Sequence, residues 1–267
     1  MTLVTVRDGG AVWTGSTNWT LDSWMREENV LVTVASEGVA RAYAREFADL
    51  WSRGRVEGSG SFDTAPVDVG GVAVRAWFSP GRGPELSHRI AKRIGAAKRR
   101  VRIASPVLTA APILAALNQA LGEGQVDVAG VSDATQVAQV FGQWRANENS
   151  AWKGPLLARV LSGLPWSGKV STPYAPGAVH DYMHAKVTVA DDVVFIGSFN
   201  LSRSGEENAE NVLEIAEPAL AERMAAFVDT VRARYAPVAV PSYAATDTSP
   251  PDAEIRRPAD VSGRPPA

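Results

Sequence analysis

Hydrophobic and polar positions alternate at several places along the chain and elsewhere recur at helical spacing. Near the N-terminus, Leu3-Val4-Thr5-Val6 and Ala11-Val12-Trp13-Thr14 flank a turn at Asp8-Gly9-Gly10, which predicts a β-hairpin. A strand is predicted over 29–35. A helix follows over 37–53, where Val39, Tyr43, Phe47 and Leu50 fall on one face. Residues 54–71 are rich in Gly, Ser and Asp and read as a linker. Strand 72–78, helix 84–97, strand 101–104, helix 112–121 and strand 125–131 then form a β-α alternation, which predicts a sheet covered by helices. A hairpin over 185–197, a strand over 211–216 and a helix over 218–235 through Leu220, Met224, Phe227 and Val231 repeat the order of the N-terminal segment.

The repetition extends to residue identity. Val187-Thr188-Val189, Asp191, Gly197-Ser198-Phe199-Asn200 and Glu210-Asn211-Val212-Leu213 are echoed by Val4-Thr5-Val6, Asp8, Gly15-Ser16-Thr17-Asn18 and Glu28-Asn29-Val30-Leu31. The two copies keep one register except for a single residue between the Asp and the Gly. That register sets Met1 against His184 and Leu3 against Lys186, so the first copy lacks the imidazole and the ammonium. The expected organisation is a remnant of a first half over 1–66, a complete second half over 67–240 and a disordered Pro-rich tail over 241–267.

Composition narrows the chemistry. The formal charge of -2 gives no global basic signature for wrapping nucleic acid, which leaves phosphate recognition to local groups. Cysteine is absent, which excludes disulfides and thiolate chemistry. A three-histidine metal site would consume His88, His180 and His184 together, and their spacing does not support one, so neither a metal nor another cofactor is expected. No apolar run reaches the roughly 18 residues of a membrane span. The N-terminus carries no recognisable secretory signal, and localisation is left open.

On a strand, residues two apart share a face, so His184 and Lys186 are expected to project together, as are Ser198 and Asn200 on the returning arm of the hairpin. An imidazole, an ammonium, a hydroxyl and a carboxamide in one place suit a phosphate: Lys and Asn bind its oxygens, and His attacks phosphorus or carries a proton. Gly197 is expected to permit close backbone approach at a point where a side chain would obstruct substrate. Glu210 is a candidate to accept from the far ring nitrogen of a histidine, either His184 or one from the opposing half. His180, in a Pro/Gly-bounded loop, reads as a rim residue, and His88 reads as a surface helix residue.

The run His184-x-Lys186 with Asp191, followed by Gly197-Ser198-x-Asn200, resembles the signature of the phospholipase D superfamily, and the resemblance extends over 1–236. It implies an α/β fold, an α-β-α sandwich of two pseudo-symmetric halves, with one full half and the C-terminal remnant of the other in this chain. It also implies a metal-free reaction in which one histidine forms a phosphohistidine and the other protonates the leaving alcohol, then activates water or an acceptor alcohol. Carried over by residue, the second copy supplies His184, Lys186, Ser198, Asn200 and Glu210, and the first supplies Ser16, Asn18 and Glu28 on the phosphate side. Asp191, Gly197, Asp8 and Gly15 take structural roles.

Three accounts of the incomplete first copy stand: a fragment of a longer enzyme, which leads, a homodimer that pairs two His184 motifs, or a pseudoenzyme. The substrate is a phosphodiester, with phospholipid favoured over nucleic acid and an endonuclease as the alternative. Trp13, Trp19 and Trp24 read as core or as acyl contacts. The cluster Arg89, Lys92, Arg93, Lys98, Arg99, Arg100 and Arg102 reads first as a solvated helix face and second as an anionic contact.

Overall fold

The computed structural model describes residues 5–7 and 10–242. Met1, Leu3 and Asp8, and the tail from 243 onward, lie outside the described residues.

The first segment forms a three-stranded antiparallel sheet from β1 (Thr5–Arg7), β2 (Ala11–Gly15) and β3 (Leu31–Ala35), with the short helix α1 (Leu21–Met25) between β2 and β3. Helix α2 (Glu37–Arg53) follows. Its start is fixed by the Ser36 hydroxyl, which accepts from Val39 N, and its end by Gly54 in the left-handed region. The chain then builds β4 (Val67–Val69), β5 (Val72–Phe78), α3 (Gly83–Ala96), β6 (Arg100–Ala104), α4 (Ala111–Glu123), β7 (Asp127–Asp133), α5 (Ala134–Arg145), α6 (Glu148–Ala151) and α7 (Lys153–Gly163). It closes with β8 (Trp166–Lys169), β9 (Val187–Ala190), β10 (Val193–Gly197), α8 (Arg203–Glu207), β11 (Asn211–Ala216) and α9 (Pro218–Arg232).

The eight strands from β4 onward form one mixed sheet in the order β4-β5-β11-β10-β9-β6-β7-β8, parallel only across β6-β7-β8. Alternation along each strand sends its apolar side chains to two separate cores. On one face Val101, Ile103, Phe195 and Val212 pack beneath α3, α4, α5 and α7. On the other, Val187, Val189, Leu213 and Ile215 pack against α9 and against Val12, Val34, Val39 and Tyr43 of the first segment. Helices on both faces of a large central sheet make the expected α-β-α sandwich.

Two expectations need correction. Residues 54–71 are not a bare linker: Val67–Val69 pairs with Val72–Val74 as the edge strand of the large sheet, and the Thr64 hydroxyl donates to Ala76 O. Trp13, Trp19 and Trp24 are 48%, 63% and 51% exposed, so none belongs to the core.

Candidate functional site

The hairpin that carries the second motif turns in two residues, since Ala190 pairs with Val193. Asp191 occupies the left-handed region there with φ 50, a conformation that Asp tolerates better than most residues. Its carboxylate accepts from Lys98 N, Arg99 N and Arg100 N at 2.8, 2.9 and 3.1 Å. Burial works to raise its pKa, but these donors outweigh it and the net shift is downward. The motif aspartate thus ties the hairpin to the strand beside it and takes no part in the cluster around His184.

Gly197 and Gly15 answer to a shared constraint. A Cβ on Gly197 would lie 2.1 Å from Asn211 O, and one on Gly15 would lie 2.0 Å from Val30 O. The obstacle is the neighbouring strand's carbonyl rather than a substrate, which corrects the expectation for Gly197.

These contacts also reset the internal register. Ser198 N donates to Asn211 O at 2.9 Å and Asn211 N donates to Ser198 Oγ at 3.1 Å. In the first copy, Ser16 N donates to Val30 O at 2.9 Å and Val30 N donates to Ser16 Oγ at 3.0 Å. Val30 therefore stands where Asn211 stands, and Asn29 takes the station of Glu210. The connection through α1 is one residue longer than its counterpart through α8, and a one-residue slip on a strand turns every side chain to the other face.

That slip decides what meets His184. Asn29 Oδ1 lies 3.2 Å from His184 Nδ1, and Ser16 Oγ donates to the same Oδ1 at 2.7 Å. Glu27 Oε2 is 3.5 Å from His184 Nδ1 and also accepts from Asn29 Nδ2 at 3.1 Å. Glu28, expected on the phosphate side, turns the opposite way: its carboxylate takes Lys169 Nζ at 2.7 Å and the Tyr235 hydroxyl. Its backbone still joins the two segments, because His184 N donates to Glu28 O at 3.1 Å and Glu28 N to Tyr182 O at 3.2 Å. Sequence reasoning missed Glu27 and Asn29; the only signal for Asn29 was its place beside Glu28 in the repeat.

Lys186 is buried, and its Nζ donates to His184 O at 2.7 Å. Burial pushes its pKa down to about 7, against the pull of Glu210 and Glu27. Burial, followed by the Lys186 charge, pushes His184 down to about 3, so the imidazole is neutral at pH 7. Burial raises Glu210, with a hydrogen bond at Ser198 and the Lys186 charge opposing.

Of the expected residues, His184 and Asn200 share the walls of one cavity of about 250 Å³. Ser198 and Glu210 line a different groove of about 850 Å³, with Tyr43, Phe47, Val56 and Phe78. Ser16 reaches His184 through Asn29, and Asn18 N is held by Ser23 Oγ at 2.9 Å. His180 is half-buried, its ring stacked between Tyr174 and Tyr182, and His88 is exposed on α3. The basic cluster is largely committed within the fold: Arg89 and Arg93 to Glu214, Arg99 to Asp192, Arg100 to Glu222, and Arg102 to Asp127 and Asp229. Among the described residues, no group of three or more acidic or histidine side chains is arranged to hold a metal ion, and no helix is long and apolar enough to cross a membrane.

Residues 90–231 match the family described as "Cardiolipin synthase, PLD-like domain". Among solved structures, the chain is similar to the phosphatidylserine synthase of Haemophilus influenzae Rd KW20, with 13% identity over 85% of this chain and 59% of that one and a TM-score of 0.55. It is also similar to Nuc, a phospholipase D family member from Salmonella typhimurium, with 25% identity, 61% and 95% coverage and a TM-score of 0.44. NucT from Helicobacter pylori aligns at 18% identity, 63% and 98% coverage and a TM-score of 0.45. No curated protein sequence matches the chain.

Proposed function

The chain belongs to the phospholipase D-like family that matches residues 90–231, and from that premise we propose that it is a phosphodiesterase acting on phospholipid, with His184 as nucleophile. The observation that carries the reading is the state of His184. Its Nδ1 faces Asn29 Oδ1 at 3.2 Å and Glu27 behind it, which selects the tautomer with the proton on Nδ1. The neutral Nε2 is then the lone pair available to phosphorus in the cavity it shares with Asn200. Lys186 beneath it and the Asn200 carboxamide supply the positive charge and the donor that a phosphoryl group calls for. In the family pattern a second histidine protonates the leaving alcohol, and its station in the first copy falls at Met1, outside the described residues.

Phospholipid is favoured over nucleic acid by the surroundings. The groove beside Ser198 and Glu210 combines Phe47, Leu50, Val56 and Phe78 with Glu46, Glu57 and Glu207. Apolar walls suit acyl chains, whereas a polyanionic strand would meet carboxylates there. The description of the matching family, cardiolipin synthase, and the phosphatidylserine synthase among the similar structures agree with a lipid substrate. The test offers phosphatidylglycerol vesicles and single-stranded DNA side by side. The expected result is little or no turnover by the chain as a monomer and, where a second His184 motif completes the site in a homodimer, head-group release from lipid that falls by more than about 100-fold in His184→Ala, with the DNA intact. DNA cleavage without lipid turnover would replace this reading with a nuclease, and full activity in His184→Ala would remove the nucleophile assignment.

A further inference from the structure

We propose that Asp133 is a positioning residue for His184, a single carboxylate that ties the nucleophile's backbone to the other walls of its cavity. This role rests on the reading of His184 as nucleophile, and Asp133 exerts it through the backbone and not by contact with the phosphate.

The segment that carries His184 stands outside the strand ladder. β9 begins at Val187, so residues 183–186 precede it and need other ties. On the side of the first segment, His184 N donates to Glu28 O at 3.1 Å. On the opposite side the tie is Asp133, whose Oδ2 accepts from Met183 N at 3.2 Å. Asp133 is fully buried at the end of β7 and caps α5, its Oδ1 accepting from Gln136 N at 2.9 Å. The Ser171 hydroxyl donates to the same oxygen at 2.8 Å. Thr135 Oγ1 fastens that serine a second time, accepting from Ser171 N at 3.0 Å and donating to Ser171 O at 2.8 Å. Asp133 N donates to Pro106 O at 3.1 Å. The partners of this one residue map onto the cavity: Pro106 and Gln136 line it, Ser171 leads into Pro173 and Tyr174, and Met183 lies between Tyr182 and His184.

Each of these side-chain bonds comes from a donor, so the carboxylate form satisfies all three at once. Burial raises the pKa of Asp133, while the three donors and the Lys169 charge pull the other way. An asparagine keeps the shape of the side chain but has a single acceptor oxygen. With that oxygen given to Gln136 N and Ser171 Oγ, its amide group turns toward Met183 N, donor against donor. The cap on α5 then survives, and the tie to the His184 segment is lost. His184 has little slack to absorb this, because its Nδ1 lies 3.2 Å from Asn29 Oδ1, the long end of a hydrogen bond. A small shift of the backbone releases the ring from Asn29 and spoils the aim of Nε2, and a displacement of about 1 Å at a reacting group can cost about 100-fold in rate.

The test is burst kinetics of the whole chain with bis(4-nitrophenyl) phosphate. The Nε2 lone pair of His184 forms the P–N bond, the P–O bond to one nitrophenyl group breaks, 4-nitrophenolate leaves with the electron pair, and the Nδ1 proton passes to solvent. Nitrophenolate needs no proton from a second histidine, so a stoichiometric burst is expected from this chain without further turnover. Asp133→Asn should lower the maximal burst rate by about 10- to 100-fold while the half-saturating concentration stays within about 3-fold. Asp133→Ser, which also keeps a cap on α5 but offers one acceptor oxygen, should show the same loss. Val128→Ala, a core truncation lower on β7, should melt earlier yet keep the parent's burst rate. In the parent, hydrogen exchange should find the Met183 amide protected together with that of Gln136, since both donate to the one carboxylate. An unchanged burst rate in Asp133→Asn, an equal loss in Val128→Ala, or an unprotected Met183 amide in the parent overturns the positioning role. A parent without a burst, or a burst that persists in His184→Ala, overturns the nucleophile reading instead.

Discussion

An ammonium buried beside a neutral imidazole costs the folded state free energy. Lys186 titrates near 7 in the fold against 10.5 for an ordinary lysine, because burial outweighs the attraction of Glu210 and Glu27. Between those two pH values the unfolded chain holds a proton that the folded chain has shed, so stability rises with pH across that window. Below about pH 7 the whole cost is present. Lys186→Met should therefore melt higher than the parent at pH 6, by about 2–4 °C for each kcal/mol recovered, and should lose both the pH slope between 7 and 10.5 and the binding of phosphodiesters. Thermal melts at pH 6, 8 and 10 check it; a variant that keeps the parent's slope would show that Lys186 is not its source. His184 acts in a lower window. Its folded value near 3 lies below the ordinary 6.5, so its contribution is complete above pH 6.5 and is lost as pH falls toward 3.

At the scale of the element, a single extra residue between β2 and β3 separates two neighbouring side chains into different roles. Glu28 is held on one face by Lys169, with both side chains only 11% exposed, while Asn29 is held on the other by His184. Glu28→Ala should destabilise by about 3–5 kcal/mol, since it leaves a buried ammonium unpaired, without moving the titration of His184. Asn29→Asp should do the reverse: a carboxylate 3.2 Å from Nδ1 favours the imidazolium and raises the His184 pKa. With three histidines in the chain, NMR titration of the imidazole resonances separates the two outcomes. This division was not legible in the sequence, because identity aligned Glu28 with Glu210, whereas the backbone pairing aligns Asn29 with it. The elements themselves were far easier to read. The helix over 37–53 and the strands over 72–78 and 211–216 match the observed Glu37–Arg53, Val72–Phe78 and Asn211–Ala216, because the helix lays one apolar face on a core and the two strands, apolar on both faces, send Trp77 and Val212 to one core and Val74, Phe78, Leu213 and Ile215 to the other. β4 was hidden in a Gly- and Asp-rich stretch because an edge strand of three residues gives no periodicity. β8 was missed because Trp166-Ser-Gly-Lys169 is buried on both faces and so does not alternate.

Across the whole molecule, the repeat carried by the first segment does not make that segment a separate body. Val12, Val34, Val39 and Tyr43 belong to the same core as Val74, Phe78, Val187 and Leu213. Polar ties cross the same boundary: the Tyr43 and Thr14 hydroxyls both donate to Asn211 Oδ1, and Asn211 in turn donates to Ser198. Asn211 is thus positioned from the first segment and positions the second motif's serine. The division at residue 66 describes the repeat, and we expect the fold to respect the core instead. Residues 1–242 should unfold in one transition by circular dichroism and tryptophan fluorescence, with the two probes coincident. Residues 67–242 made without the first segment should expose Phe78, Met183 and Ala185, bind a hydrophobic dye and melt well below the longer chain. Two separated transitions in the longer chain, or a stable and dye-negative 67–242, would show that the repeat boundary is also the folding boundary. In that case His184 could not depend for its orientation on Asn29, since the contact would join two bodies free to move apart.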